Sequence, residues 1–183
     1  MNSRIRIALV HEKFLDSLVG QSRTGSNRKA GAASPFGKIS EVAVFAAALG
    51  YRLGSAPPIG GGKTKHEIRY EAMKSAAGAV ELIDALAFVE LGGDVDVFRS
   101  GAESEAKLID AFNRYCHGGL LWLAQLWQEK AIGADGEPHG NYTAHDLIMD
   151  AVSQKAQAIE DVYEEHDAIP TDSLLKLLAQ AKV

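Results

Sequence analysis

The sequence has few of the residues that mark disulfide-linked or membrane-spanning proteins. It contains one cysteine, Cys116, so no internal disulfide can form and a small secreted disulfide scaffold is excluded. No run approaches the roughly 18 consecutive apolar residues that a membrane-spanning helix needs. Residues 1–10 lack the apolar core of a signal peptide. These features predict a cytoplasmic protein that has no contact with a membrane.

Prolines and aromatic residues are also scarce, with five prolines and 7% aromatic residues. Hydrophobic residues make up 46% of the chain and charged residues 23%. These are ordinary values for a globular chain that can bury a core, so disorder is not the default expectation. The length of 183 residues fits one domain, or a small domain joined to a helical one.

The net charge of −5 conceals a strong asymmetry along the chain. Residues 1–74 contain 12 Lys and Arg against 5 Asp and Glu, whereas residues 75–183 contain 7 against 19. Such asymmetry is typical of a protein with a basic face for an anionic partner and an acidic face for another partner. It is equally typical of two halves that attract each other, and the sequence leaves both interpretations open.

The hydrophobic pattern predicts a mainly α fold, a bundle-like helical domain with one or two short N-terminal strands. Residues 4–10 alternate apolar and polar side chains, which indicates a strand. Ser40 is predicted to cap one helix, and Thr143 with Asp146 has the spacing of a capping box for another. We expect a small basic strand-helix-helix region over residues 1–65 and an acidic helical domain over residues 66–183. Helices are expected at 11–19, 41–50, 76–91, 103–115, 120–132, 143–162 and 173–181, with a kink or break at Gly118 and Gly119.

No motif in the chain predicts catalysis, a cofactor or a metal. The segment GGGKT, residues 60–64, resembles part of a phosphate-binding loop, but Pro57 stands where the first glycine is required. Cys116 and His117 are adjacent on a predicted helix and point about 100° apart, which disfavours a nucleophile and base pair. A tetrahedral zinc site is not expected without a second cysteine. We therefore predict a protein that is not an enzyme.

Basic residues in the first half of the chain suggest contact with nucleic acid. A strand carrying Arg4 and Arg6, followed by two helices, has the element order of a ribbon-helix-helix protein. Basic residues in the neighbouring loops suit contacts with phosphates, which provide affinity without sequence preference. The predicted nucleic-acid-binding residues are Arg4, Arg6, Arg23, Arg28, Lys29, Lys63 and Lys65.

Large apolar and aromatic side chains cluster around Gly118 and Gly119. Glycines at this place indicate close approach of a second helix or a bend in the helix. A core is the favoured interpretation of the cluster, and a protein interface is the alternative. Helical spacing assigns Trp127 to the core. The predicted partner interface consists of Phe112, Tyr115, Trp122 and Leu126.

Two segments together resemble a known bacterial family. They are FGKISEVAVFAAALGYRLG, residues 36–54, and FNRYCHGGLLWLAQLW, residues 112–127. Both resemble the family of DNA phosphorothioation-associated protein 4, which is encoded beside Dnd-type DNA sulfur-modification genes. The chain departs from the family pattern in the glycine-lysine loop after Leu53 and at Cys116 and His117.

The resemblance implies a helical accessory protein of a DNA-modification or phage-defence system, with protein partners and with DNA nearby. It brings no catalytic residues with it. Our first hypothesis is a non-enzymatic accessory or DNA-associated subunit of such a system. The alternative is a helical scaffold in a multiprotein complex that does not contact nucleic acid. Self-association is left open by both.

Overall fold

The computed structural model describes residues 4–19, 34–59, 64–98, 101–131 and 142–153. In this part of the chain helices dominate and a short antiparallel sheet lies near the N-terminus, which confirms the predicted mainly α fold. The elements are β1 (Arg4–Ala8), α1 (Glu12–Leu18), α2 (Ile39–Arg52), β2 (Thr64–Arg69), α3 (Tyr70–Met73), α4 (Ala79–Glu90) and α5 (Ala102–Ala131). Single 3-10 turns span Leu9–His11 and Val95–Phe98, and residues 144–153 are helical.

Strands β1 and β2 form a two-stranded antiparallel ribbon. Arg4 lies opposite Arg69 and Arg6 lies opposite Glu67. Because successive side chains of a strand point to opposite faces, Ile5 and Ile7 are buried while Arg4 and Arg6 are exposed. The strand predicted over residues 4–10 is confirmed over Arg4–Ala8, and the chain enters a 3-10 turn at Leu9.

Helix α5 runs unbroken through Gly118 and Gly119, so the predicted separation into two helices is wrong. Both glycines and Gly50 of α2 lie where the backbones of neighbouring segments come closest. A Cβ at Gly119 would overlap the carbonyl of Ala46, and one at Gly50 would overlap the carbonyl of Tyr115. Each glycine costs a helix about 1 kcal/mol of intrinsic propensity. The close packing of α2 on α5 that glycine permits outweighs this cost.

The core lies between α2, α4, α5 and the inner face of the ribbon. Its side chains come from every one of these elements, so none of them can bury its apolar face alone. Removal of this apolar surface from water is the main stabilising contribution to the fold. The buried residues include Ile5, Ile7, Val42, Ala46, Ile83, Leu86, Phe112, Leu120 and Leu123.

Helix α2 begins at Ile39, two residues earlier than the sequence predicted. Glu41 accepts hydrogen bonds from the backbone N–H groups of Gly37 (2.8 Å) and Lys38 (3.2 Å), which precede the first turn. Lys38 occupies the N-cap position, and Ser40 lies inside the helix. The prediction that Ser40 caps α2 is therefore wrong, because Glu41 satisfies the unpaired backbone donors instead.

The predicted capping box at Thr143 and Asp146 is confirmed. The backbone N–H of Asp146 donates to Thr143 Oγ1 at 3.2 Å, and the backbone N–H of Thr143 donates to Asp146 Oδ2 at 2.8 Å. The Thr143 hydroxyl also donates to Asp146 Oδ2 at 2.6 Å, and this hydrogen bond, together with the one from the Thr143 backbone N–H, lowers the pKa of the Asp146 carboxyl. The predicted helix at 173–181 lies outside the described residues.

Contacts divide the chain into two compact units, Met1–Leu147 and Ile148–Val183. The boundary predicted between residues 65 and 66 falls within β2, so the sequence estimate and the contact-based division place it differently. Within the described ranges no helix is long and apolar enough to cross a membrane.

Candidate nucleic-acid interface

The exposed face of the ribbon concentrates positive charge. It carries Arg4, Arg6 and Arg69 together with a single carboxylate, Glu67. Arg4 forms an ion pair with Glu67. No carboxylate of the described residues lies within ion-pairing distance of Arg6 or Arg69, so two guanidinium groups on this face have no anionic partner there.

The ribbon is held to α5 by its backbone and by its buried face. The backbone N–H of Arg6 donates to the side-chain Oδ1 of Asn113 at 2.9 Å, and Asn113 is buried on α5. Ile5 and Ile7 pack beneath the ribbon and are essentially inaccessible to solvent. This anchoring leaves the guanidinium groups directed away from the core.

The structure brings Arg4 and Arg6 together with Arg69, which the sequence analysis did not select. Residues 65, 67 and 69 alternate Lys, Glu and Arg, and this pattern could have identified a second charged strand face. Lys65 lies in β2, and its side chain is outside the described part of the structure. The other four predicted nucleic-acid-binding residues lie outside the described part of the chain: Arg23, Arg28, Lys29 and Lys63.

The ribbon-helix-helix hypothesis is corrected in one respect. In that fold the strands come from two chains, whereas β1 pairs with β2 of the same chain. The pairing strand, Thr64–Arg69, lies far downstream in the sequence. The residue pattern of the first strand alone could not predict this partner.

Three of the four predicted partner-interface residues belong to the core. Phe112, Tyr115 and Leu126 have exposed fractions of 0%, 8% and 5%, so packing within the monomer already covers them. The Tyr115 hydroxyl donates to Glu90 at 3.1 Å, which explains how a polar group is accommodated there. Trp122 is half-buried and remains accessible to a partner, but Trp127 is half-buried as well, so the assignment of Trp127 to the core is wrong.

Arg114 joins α5 to α4 and to the segment that follows α2. Its Nε and Nη2 donate to the carbonyl of Ala56 at 3.1 and 3.0 Å, and it forms an ion pair with Glu90. Glu90 therefore binds both Arg114 and Tyr115. All these groups are paired within the chain, which indicates a structural role.

A histidine pair lies behind the ribbon. His11 Nε2 and His117 Nδ1 are 3.0 Å apart, and His11 is buried. Burial, with a smaller contribution from His117, lowers the pKa of His11 to about 4, and burial also lowers the pKa of His117. Both imidazoles are therefore neutral at pH 7 and one donates to the other. The two residues are 106 positions apart, and no sequence signal links them.

Cys116 has no nucleophilic character in this fold. The thiol is fully buried, and burial raises its pKa to about 12, so the thiolate is disfavoured. The neighbouring imidazole of His117 faces His11 instead. In the described part of the chain no group of three or more His, Cys, Asp or Glu residues is placed to hold a metal ion.

Comparison with protein families gave a match that covers most of the chain, whereas curated proteins and solved structures gave no significant match. The matching family model is that of DNA sulphur modification system-associated protein 4, and it spans residues 4–135. This span includes the ribbon, the glycine contacts between α2 and α5, and the histidine pair. The chain belongs to the family of DNA sulphur modification system-associated protein 4.

Proposed function

We propose that this protein is a non-enzymatic accessory subunit of a DNA sulphur modification system and that it binds DNA phosphates through the exposed face of the ribbon. Its cellular setting is the cytoplasm, in a DNA-modification and phage-defence complex with protein partners. Family membership supports the association with the modification system. The three arginines of the ribbon support the contact with DNA.

The opposition of Arg4 and Arg69 is the observation that carries the DNA proposal. Like charges directly opposite each other on two strands are destabilising. Glu67 relieves this repulsion only in part, because one carboxylate faces three guanidinium groups. An anion bound over this face would relieve the rest, and arginine suits phosphate because its planar fork can donate two parallel hydrogen bonds.

The non-enzymatic part of the proposal rests on the state of the side chains that are most often catalytic, a cysteine thiol and two histidine imidazoles. The Cys116 thiol is buried and protonated, and the two imidazoles hydrogen-bond to each other. Arg23, Arg28, Lys29 and Lys63, and Lys65 of β2, remain predicted contacts with DNA phosphates.

A salt titration with a labelled DNA duplex tests the proposal. Each phosphate neutralised contributes about 0.9 to the slope of log affinity against log salt. Replacing Arg6 and Arg69 with Gln should lower the slope by about 1–2 and weaken binding to all sequences alike. Replacing Arg23, Arg28 and Lys29 together should have a similar, sequence-independent effect.

The matched control replaces Lys107 and Lys130 of α5 with Gln, which removes the same charge elsewhere. This variant should bind DNA with an unchanged slope. If the folded protein does not bind DNA even at low salt, or if both double variants weaken binding equally, the ribbon is not a DNA interface. The alternative of a helical scaffold without DNA contact would then be favoured.

A further inference from the structure

A second surface, acidic where the ribbon is basic, is formed by α4 and the 3-10 turn that follows it. Four apolar side chains are exposed there: Phe88 (41%), Val89 (47%), Val95 (67%) and Phe98 (44%). We call these residues the α4 patch. Single exposed apolar residues are common on soluble proteins, whereas a group of them marks an interaction site.

The patch is built as a defined structure. The rings of Phe88 and Phe98 are stacked, with centroids 6.3 Å apart and an angle of 24° between their planes. Gly93, with φ of +85°, lets the chain turn back beside Phe88, and its N–H donates to the Phe88 carbonyl at 2.8 Å. Residues three apart in a 3-10 helix share one side, so Val95 extends the surface next to Phe98.

The surroundings of the patch are acidic. Residues 79–98 contain five Asp and Glu and no Lys or Arg, while Arg99 follows in the sequence and Glu90 is already paired with Arg114. Glu81 and Asp84 precede Phe88 by seven and four positions and therefore lie on the same side of α4. On the other side, Asp94 Oδ1 accepts a hydrogen bond from the backbone N–H of Asp96 at 2.9 Å, which holds the Asp94 carboxylate next to Val95. Apolar anchors are thus flanked by negative charge at both ends.

We propose that the α4 patch docks a basic amphipathic helix of a protein partner, with its apolar side chains on Phe88 and Phe98 and its Lys or Arg residues against the flanking acids. This inference rests on the proposed accessory role, which requires a protein partner, and it names the chemistry of that partner. Apolar anchors at helical spacing are a recurring mode of docking, and complementary charge gives it specificity. The same acids repel DNA and anionic lipid.

The test uses the full chain and a labelled synthetic peptide of about five helical turns. This probe carries Leu at positions i, i+3, i+4 and i+7 and Lys elsewhere. Fluorescence anisotropy should show binding that weakens as salt is raised. Two comparison peptides keep parts of the pattern: one has Glu in place of Lys, and the other has the same composition with Leu scattered around the helix. Both should bind at least about tenfold more weakly.

Variants of the protein locate the site. F88S/F98S should lose about tenfold or more in affinity for the Lys–Leu peptide. E81Q/D94N, which leaves the apolar side chains intact, should reduce both the affinity and its salt dependence. The matched control is Leu121→Ser, because Leu121 of α5 is as exposed (41%) and lies outside the patch. It should bind like the unaltered chain, and circular dichroism should show that all variants are folded.

Three outcomes would overturn the inference. They are equal binding of the patterned and scattered peptides, unchanged binding by F88S/F98S, and a dimer of the free protein that F88S/F98S dissociates. The last would show that a second copy of the chain occupies the patch. Duplex DNA binding tests the ribbon independently of the peptide assay, because F88S/F98S should leave the affinity for duplex DNA unchanged.

Discussion

The histidine pair links the stability of the fold to pH at the scale of single residues. His11 is buried, and its pKa falls from 6.5 to about 4 through burial and the nearby His117. Below pH 6.5 the unfolded chain therefore binds more protons at this position than the folded chain does. The contribution of neutral His11 to the free energy of unfolding is fully present above about pH 6.5. Up to about 3 kcal/mol of this free energy is lost as the pH falls toward 4.

Replacing His11 with Gln should remove most of this loss, because an amide keeps a hydrogen-bonding group without a titration in this range. The measurement is the free energy of urea unfolding between about pH 7 and pH 4.5. His145→Gln serves as the control, since His145 is exposed. A pH profile of His11→Gln that parallels the unaltered chain would show that the pair does not govern acid stability.

The two tryptophans differ in their neighbours. The ring of Trp127 lies 6.3 Å from that of Phe14 and 5.8 Å from that of Tyr142, whereas the described residues place no aromatic ring against Trp122. Aromatic contacts contribute about 1 kcal/mol each. Trp127→Ala should therefore destabilise the fold by about 2 kcal/mol more than Trp122→Ala, as measured by thermal or urea unfolding. Equal losses would mean that the aromatic contacts of Trp127 add little.

Packing of α2 on α5 decides stability at the scale of elements. A methyl group at Gly119 would meet the carbonyl of Ala46, a backbone atom that cannot move aside alone. Gly119→Ala should cost about 3 kcal/mol, the upper end of the usual cost of overpacking, despite the better helix propensity of alanine.

Gly37→Ala is the control for this prediction. A Cβ at Gly37 meets only the end of the Glu41 side chain at 3.5 Å, an ordinary contact. Its unfolding midpoint should stay the same or rise slightly, since alanine reduces the entropy of the unfolded chain. A stable, unchanged Gly119→Ala variant would contradict the close approach of the two helices.

At the scale of the whole molecule, charge is distributed unevenly between two surfaces, the ribbon and the α4 patch. The ribbon contributes guanidinium groups from the basic half, and the α4 patch is surrounded by acids from the acidic half. Under the two proposals, the charge asymmetry that the sequence left open would correspond, in part, to one surface for an anion and another for a basic partner. Charge on such surfaces sets association rates and partner choice rather than the fold.

The first compact unit should fold without the rest of the chain. Among the residues that the structure describes, every buried apolar residue except Ala151 belongs to Met1–Leu147, and the family match ends at residue 135. A chain that stops at residue 153 should keep a cooperative thermal transition and its affinity for DNA. Loss of the transition in this shortened chain would show that its core depends on the remaining residues.

Features that depend on near neighbours in the sequence were predictable. The alternation in β1 and the Thr143–Asp146 capping box were both predicted, because their causes lie within a few residues. The end of α4 at Glu90, just before Gly92 and Gly93, was predicted to within one residue, whereas α2 continues to Arg52, past Gly50 where its end was predicted. The resemblance of two segments to a family was also present in the sequence, and the family match confirms it.

Features that depend on distant residues were decided by the tertiary structure alone. Gly118 and Gly119 lie within an unbroken helix, where the backbone carbonyls of Ser55 and Ala46 approach them, and Phe112 is core because the neighbouring elements cover it. Arg69 joins Arg4 only through strand pairing across more than 60 residues. His11 of the 3-10 turn meets His117 of α5 across 106 positions, through the packing of the two elements. Local periodicity predicts which side of an element is apolar. Only the packed chain decides what that side meets, because these contacts join residues far apart in sequence.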